Sequence, residues 1–287
     1  MRERLNFWVI GGDPRQSTLA RALSEDGHTV HTYALERGVD AALWADSLAG
    51  ASVADCVILP LPAADGEYIN APLSSQRPKI TQVLEALRPG QLLCGGMISP
   101  ELRAQGEERG LTLVDYFSRE ELAIANAVPT SEGAIQIAME ELPITLHGSR
   151  VLVIGSGRLG KVLVQQLKGL GANVSLAARK FSDLAWAQVW GCGVEHSDQL
   201  DHWLCGYDLV INTVPAPILG REELSDLKPG ALVIDLASKP GGVDFSAAAD
   251  LGVKVIWALS LPGKTAPVTA GLAVKSTIYN ILTELGV

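Results

Sequence analysis

Cysteine is scarce in this chain: Cys56, Cys94, Cys192 and Cys205 are the only four in 287 residues, and no C-x-x-C spacing occurs. Disulfide frameworks belong mainly to small exported domains, so none is expected here. Cys192, His196, His202 and Cys205 lie near one another in sequence and suggest a zinc set. They read better as ordinary thiols and imidazoles on a strand edge and its following helix, and no metal is expected. No run of about 18 apolar residues is present, so no membrane span is predicted. The apolar stretch at the N-terminus is too short for the h-region of a signal peptide. Positive charge is also short: the formal net charge is −9, against the basic footprint of a nucleic-acid binder. These absences point to a cytosolic protein.

What is present is alternation. With 47% hydrophobic and 19% charged residues, the chain has the balance of a well-packed globule of one large or two ordinary domains. Strand-like runs at Leu5–Ile10, Thr29–Tyr33, Cys56–Leu59, Gln91–Cys94 and Leu111–Val114 alternate with helical patterns near Ser17–Ser24, Lys79–Leu87 and Pro100–Glu108. Two linking helices, Arg119–Asn126 and Thr130–Glu141, lead to a second series. Its strands are Val151–Ile154, Asn173–Ala177, Gly193–His196, Leu209–Asn212, Ala231–Asp235 and Val253–Trp257, with helices near Leu159–Leu170 and Ser182–Trp190. A last helix covers Val268–Glu284. Such alternation predicts an α/β protein of two Rossmann-like, doubly wound parallel-sheet domains joined by linker helices. The first domain is expected at residues 1–126, with helix 268–287 returning to it, and the second at 127–267.

The most specific motif opens the second series. The apolar run ending at Ile154 feeds into Gly155-Ser156-Gly157-Arg158-Leu159-Gly160, the G-x-G-x-x-G dinucleotide fingerprint. Its first glycine permits the tight turn, its second admits a pyrophosphate to the backbone, and its third lets helix and strand approach. A helix N-terminus behind it supplies N–H donors to the phosphates. An NAD site usually adds a carboxylate at the end of the second strand to hold the ribose 2′-OH. Here that place reads Ala178-Arg179-Lys180, two cations suited to a 2′-phosphate, so NADP(H) is the expected cofactor. Thr213-Val214-Pro215 ends another strand and is expected on the same face. The opening turn Gly11-Gly12-Asp13 lacks the third glycine and reads as a substrate-facing turn.

Several unusual strings carry a family resemblance. These are Gly11-Gly12-Asp13-Pro14-Arg15-Gln16, Pro129-Thr130-Ser131-Glu132-Gly133, the glycine loop, Asp235-Leu236-Ala237-Ser238-Lys239-Pro240-Gly241-Gly242-Val243-Asp244-Phe245, Leu261-Pro262-Gly263 with Ala266-Pro267, and Thr269-Ala270-Gly271. With them, nearly the whole chain resembles the A subunit of dipicolinate synthase from spore-forming bacteria. It departs from the family pattern at Lys239, Val243 and Val268. The resemblance implies oxidation of a dihydrodipicolinate-type ring to pyridine-2,6-dicarboxylate, with NADP⁺ taking the hydride. It also implies a B-subunit partner and the mother cell of a sporulating bacterium. Homo-oligomerisation is left open.

A dicarboxylate ring substrate needs cations or donors for its carboxylates and a base for one ring proton. Arg15, at a helix start, is the first candidate for carboxylate recognition, with Gln16 and Ser99 secondary and Thr130 and Ser238 beside them. Thr130 also reads as a helix N-cap. Glu132 is the first candidate for the general base. Asp235 and Asp244 are alternatives, with Asp244 also reading as the cap of the helix after Phe245, and Lys239 is a strand-end group within reach of substrate. Two other readings stand: a 2-hydroxy-acid or amino-acid dehydrogenase, which lacks a recognisable His–carboxylate dyad here, and a non-catalytic nucleotide-binding subunit.

Overall fold

The computed structural model describes residues 4–200 and 202–287; the first three residues of the expected N-terminal domain and Asp201 lie outside the described residues. Two compact units divide the chain, one made of Met1–Asn126 with Ala266–Val287 and the other of Ala127–Thr265.

The first unit runs β1 (Asn6–Ile10), α1 (Pro14–Glu25), β2 (Thr29–Tyr33), β3 (Cys56–Ile58), the two-residue strands β4 (Ala64–Asp65) and β5 (Tyr68–Ile69), α2 (Ile80–Glu85), β6 (Leu92–Gly95), α3 (Pro100–Glu108) and β7 (Thr112–Asp115). Its sheet is β2-β1-β3-β6-β7, with every pairing parallel. Phe7 and Val9 belong to one buried cluster and Trp8 and Ile10 to another. Both faces of β1 are thus covered, which is why it reads as a continuous apolar run.

A 22-residue helix, α4 (Glu120–Glu141), follows with Pro129 inside it. Local signals predict two helices here, with Thr130 as the N-cap of the second. Instead Thr130 sits within an unbroken helix. An interior proline forfeits one backbone bond and costs about 3 kcal/mol. Burial offsets this: Ala127, Ala134 and Ala138 are all buried. A Cβ on Gly133 would lie 3.1 Å from both Leu261 and Thr265, so this part of α4 packs in near-backbone contact.

The second unit continues with β8 (Arg150–Ile154), α5 (Arg158–Gly169), β9 (Asn173–Ala178), α6 (Phe181–Val189), β10 (Gly193–His196), β11 (Leu209–Asn212), α7 (Arg221–Ser225), β12 (Leu232–Asp235), α8 (Phe245–Leu251), β13 (Lys254–Trp257) and α9 (Leu261–Thr265). The Leu261-Pro262-Gly263 segment lies in the short helix α9. The sheet is β10-β9-β8-β11-β12-β13, again wholly parallel. Strand order reverses between β8 and β11, where ligands bind in doubly wound sheets.

The chain then returns to the first unit as α10 (Pro267–Leu285). Ile278 and Leu282 are fully buried in the cluster that also holds Leu19 and Leu23 of α1. The contact is close because Gly271 has no side chain: a Cβ there would stand 2.5 Å from the Arg15 carbonyl oxygen.

Candidate functional site

At the carboxyl ends of β8, β9 and β11 the second unit opens a cleft of about 770 Å³. Its walls include Gly155, Ser156, Gly157, Ala178, Arg179, Lys180, Thr213, Val214 and Pro215, nine of the twelve residues the sequence assigned to cofactor. Arg158, Leu159 and Gly160 lie in the first turn of α5, outside that lining.

The three glycines answer different demands. Gly155 has φ +105°, and a Cβ there would meet Thr213 Oγ1 at 2.3 Å; the Thr213 hydroxyl donates to the Ile154 carbonyl at 2.8 Å. At Gly160 a Cβ would lie 1.9 Å from the Gly155 carbonyl oxygen, so α5 could not approach its strand. Gly157 is different: a Cβ there would meet nothing within 4 Å. The protein's own packing does not require glycine at that position, and what would use the space is a ligand. Ser156 Oγ, beside it on the wall, is buried without a hydrogen-bond partner. Open space, an unsatisfied hydroxyl and a helix N-terminus fit the pyrophosphate of a dinucleotide.

Neighbouring turns hold the cleft's shape. Asn212 is fully buried; its side-chain amide donates to Val214 O at 3.0 Å and to Asp235 Oδ1 at 2.9 Å, while its oxygen accepts from Val214 N–H at 3.0 Å. Asp235 also accepts from the backbone N–H groups of Ala237 (3.0 Å) and Gly242 (2.8 Å) and has no exposed surface. Those bonds occupy the carboxylate and fix the turn after β12, so Asp235 is placed as an anchor rather than beside a ligand. Ser238 and Lys239 stand exposed on that turn. Glu132 is exposed on α4.

Arg15, Gln16 and Ser99 belong to the first unit. Arg15 Nε and Nη2 bond to the Asp13 carboxylate, and Nη2 also donates to the Leu61 carbonyl at 2.6 Å. Gln16 is buried and donates to Leu59 O at 2.9 Å; the Tyr116 hydroxyl donates to the same oxygen at 3.0 Å, and burial pushes that phenol above its ordinary range. Ser99 Oγ accepts from Leu102 N–H and caps α3. The Gly11-Gly12 turn is closed by the chain itself: Gly12 N–H donates to Asn70 O at 2.8 Å, and a Cβ on Gly11 would be 2.7 Å from Ile69 Cγ2. A pyrophosphate has no such donor there.

Sequence reasoning did not single out Asp183, Ser197, Asp198 or Glu223, which also line the cleft. Ser197 and Asp198 directly follow β10, so the rule that ligands meet strand carboxyl ends would have found them.

Sheet order, glycine turn and cleft define a Rossmann-type, nicotinamide-dependent oxidoreductase, and residues 118–244 match the D-isomer specific 2-hydroxyacid dehydrogenase, NAD binding domain family. Residues 6–117 match the N-terminal domain of the dipicolinate synthase A subunit. The whole chain belongs to the family of dipicolinate synthase A subunits. It is 34% identical to the A subunit from Bacillus subtilis (strain 168), across 98% of this chain and 97% of the relative. The crystal structure of the Bacillus subtilis protein superposes with TM-score 0.87 at 32% identity, covering 98% and 97% of the two chains. That of the Bacillus halodurans counterpart gives 0.86 at 28%, covering 97% of each. A transhydrogenase from Sinorhizobium meliloti, with TM-score 0.72 and 18% identity over 97% of this chain and 94% of its own, shares the fold alone. No helix of the described residues is long and apolar enough to cross a membrane.

Proposed function

We propose that this chain oxidises a dihydrodipicolinate-type ring to pyridine-2,6-dicarboxylate, with NADP⁺ as acceptor, in partnership with a B subunit in a sporulating cell. Family membership supports the reaction. The observation that carries the cofactor choice is the end of β9: Arg179 and Lys180 stand exposed on the cleft wall where an NAD site would place a carboxylate. Bound there, the nicotinamide supplies a hydride acceptor; the ring gives up one hydride and one proton and becomes aromatic. Because aromatisation favours the products, positioning is the main task left to the protein.

In this reading Arg15 binds a substrate carboxylate through the edge of its guanidinium not engaged by Asp13 and Leu61. Gln16 and Ser99, each tied to backbone, shape the turn rather than touch substrate. Glu132 takes the ring proton, with Thr130 on the same helix. Ser238 and Lys239 stand exposed on the turn that Asp235 anchors, and Lys239 is the group on it able to meet a carboxylate.

A second reading has one observation in its favour. Asp183 and Asp198 share the cleft wall with the cations, and either carboxylate suits the ribose 2′-OH of NAD(H). Substitution decides between them. Arg179→Ala should weaken NADPH binding by about 1.5–3 kcal/mol, the scale of a hydrogen bond to a charged group, and leave NADH nearly unchanged; equal loss for both cofactors would sink the 2′-phosphate assignment. The reaction itself is tested by mixing the chain with NADP⁺ and fresh dihydrodipicolinate, with and without the B subunit, and following NADPH absorbance. No NADPH in either mixture would overturn the enzyme reading.

A further inference from the structure

The turn after β10 runs beside the turn after β9 and is latched to it at two points. Ser197 N–H donates to the Ala178 carbonyl at 3.2 Å. His196 Nε2 lies 3.0 Å from the Arg179 carbonyl oxygen, which only accepts, so Nε2 carries the proton. Nδ1 of the same ring is then free to accept the Asp198 N–H, 3.4 Å away. The tautomer with the proton on Nε2 satisfies both neighbours at once. The ring of Phe181 packs on this imidazole with centroids 5.5 Å apart. Every polar group of the latch is therefore matched except one. The Ser197 hydroxyl is buried, on a residue only 8% exposed, and has no hydrogen-bond partner, although Ser197 lines the cleft next to Arg179 and Lys180.

A buried hydroxyl left unmatched is a standing cost, and native structures retain few of them. Its position indicates what completes it. The side-chain charges lining the cleft are two cations, Arg179 and Lys180, and three carboxylates, Asp183, Asp198 and Glu223, so net charge alone gives a phosphate no attraction. Discrimination must come from directed donors. A phosphate dianion only accepts, the carboxylates offer it nothing, and Ser197, directly after β10 in the cleft lining, is a neutral side chain with a proton to give.

We propose that Ser197 is a specificity-determining residue of the cofactor site, its hydroxyl donating to the 2′-phosphate that Arg179 and Lys180 neutralise. This rests on the NADP(H) reading above and adds to it a group that carries no charge. It also carries a consequence for stability that a charged contact would not have. Removing the hydroxyl relieves the unliganded protein of an unmatched group while taking a bond away from the complex.

The test is calorimetric titration of the full chain and its Ser197→Ala variant with adenosine 2′,5′-bisphosphate, adenosine 5′-monophosphate, NADPH and NADH, together with thermal melts without ligand. Ser197→Ala should weaken the two 2′-phosphorylated ligands about tenfold, the lower end expected for a hydrogen bond to a charged acceptor. The two unphosphorylated ligands should change less than about twofold, within the scatter of a surface substitution. The melting temperature without ligand should hold or rise. Equal loss across all four ligands would overturn the proposal, since the hydroxyl would then serve the adenosine; so would no loss, or a lower melting temperature. If the unsubstituted chain showed no preference for 2′-phosphorylated ligands, the NADP(H) reading itself would fail. If that preference existed and Arg179→Ala abolished it while Ser197→Ala left it intact, only the Ser197 assignment would fall.

Discussion

Gly157 and Gly160 stand three residues apart in one motif, yet the reasons for their missing side chains lie in different molecules. A methyl at Gly160 runs into the Gly155 carbonyl oxygen at 1.9 Å, backbone that cannot swing away. Gly160→Ala should therefore destabilise the unliganded protein by about 1–3 kcal/mol, the range for overpacking. Gly157 caps α5 with φ −74°, a conformation any residue adopts, and a methyl there meets no protein atom. Gly157→Ala should change unliganded stability by less than about 1 kcal/mol, while dinucleotide affinity drops by about the same 1–3 kcal/mol that Gly160→Ala costs the fold. Denaturant melts and cofactor titration of the two variants separate these outcomes; a Gly157 variant with unchanged affinity would remove the pyrophosphate from this turn. The motif was legible as a string because its spacing follows backbone geometry. Asp235 was not legible in the same way. A carboxylate at a strand end has the same letter whether it faces a ligand or anchors a turn, and only the three donors converging on it tell which. Asn70 was hidden for a related reason: it blocks the Gly11-Gly12 turn from about sixty positions away.

Elements were read well where a continuous apolar run or a glycine break marked them, as in β1, β3, β8 and β11. They were misread where tertiary contact overrode local signals. Pro129 followed by Thr130 is a helix-start pattern, but the buried alanines on either side keep α4 continuous. The seam between α1 and α10 lies at the same level, and its chemistry makes a pH prediction. Asp26, the C-cap of α1, accepts from Lys275 Nζ and the Tyr279 hydroxyl, both at 2.6 Å. Those two hydrogen bonds hold its carboxyl below the usual range. Burial holds His28, whose ring lies 5.7 Å from that of Tyr279, below the ordinary imidazole value against the pull of Asp26. Both groups bind protons less readily folded than unfolded, so stability rises with pH across their windows. It should begin to fall below about pH 6.5 through His28 and fall further below about pH 4 through Asp26. Asp26→Asn should melt lower than the unsubstituted chain at pH 7, and the two melting curves should converge as the pH drops below about 4. Curves that stay parallel into acid would mean that the Asp26 contacts carry no stability.

At the scale of the molecule the chain departs from simple order: it leaves the first unit at Asn126 and re-enters it at Ala266. The second unit is contiguous, with clusters on both faces of its own six-stranded sheet. The first depends on a helix that follows the second unit along the chain. Val274, Ile278, Ile281 and Leu282 of α10 are each no more than 2% exposed. At about 1.5–3 kcal/mol for each fully buried aliphatic side chain, those four contribute on the order of 6–12 kcal/mol, an upper bound because an unfolded chain also buries some surface. That rivals the whole stability of a typical domain, about 5–15 kcal/mol. Deleting residues 267–287 should therefore unfold the first unit and leave the second folded, since every wall of the dinucleotide cleft lies between Gly155 and Glu223. Native-state hydrogen exchange should show protection lost in β1, β2 and β3 and kept in β8, β9 and β11, and NADPH titration should retain an affinity within about tenfold (1.4 kcal/mol) of the full chain. Loss of protection across both sheets would mean that the second unit does not fold independently; protection kept in both would mean that α10 contributes far less than its burial implies.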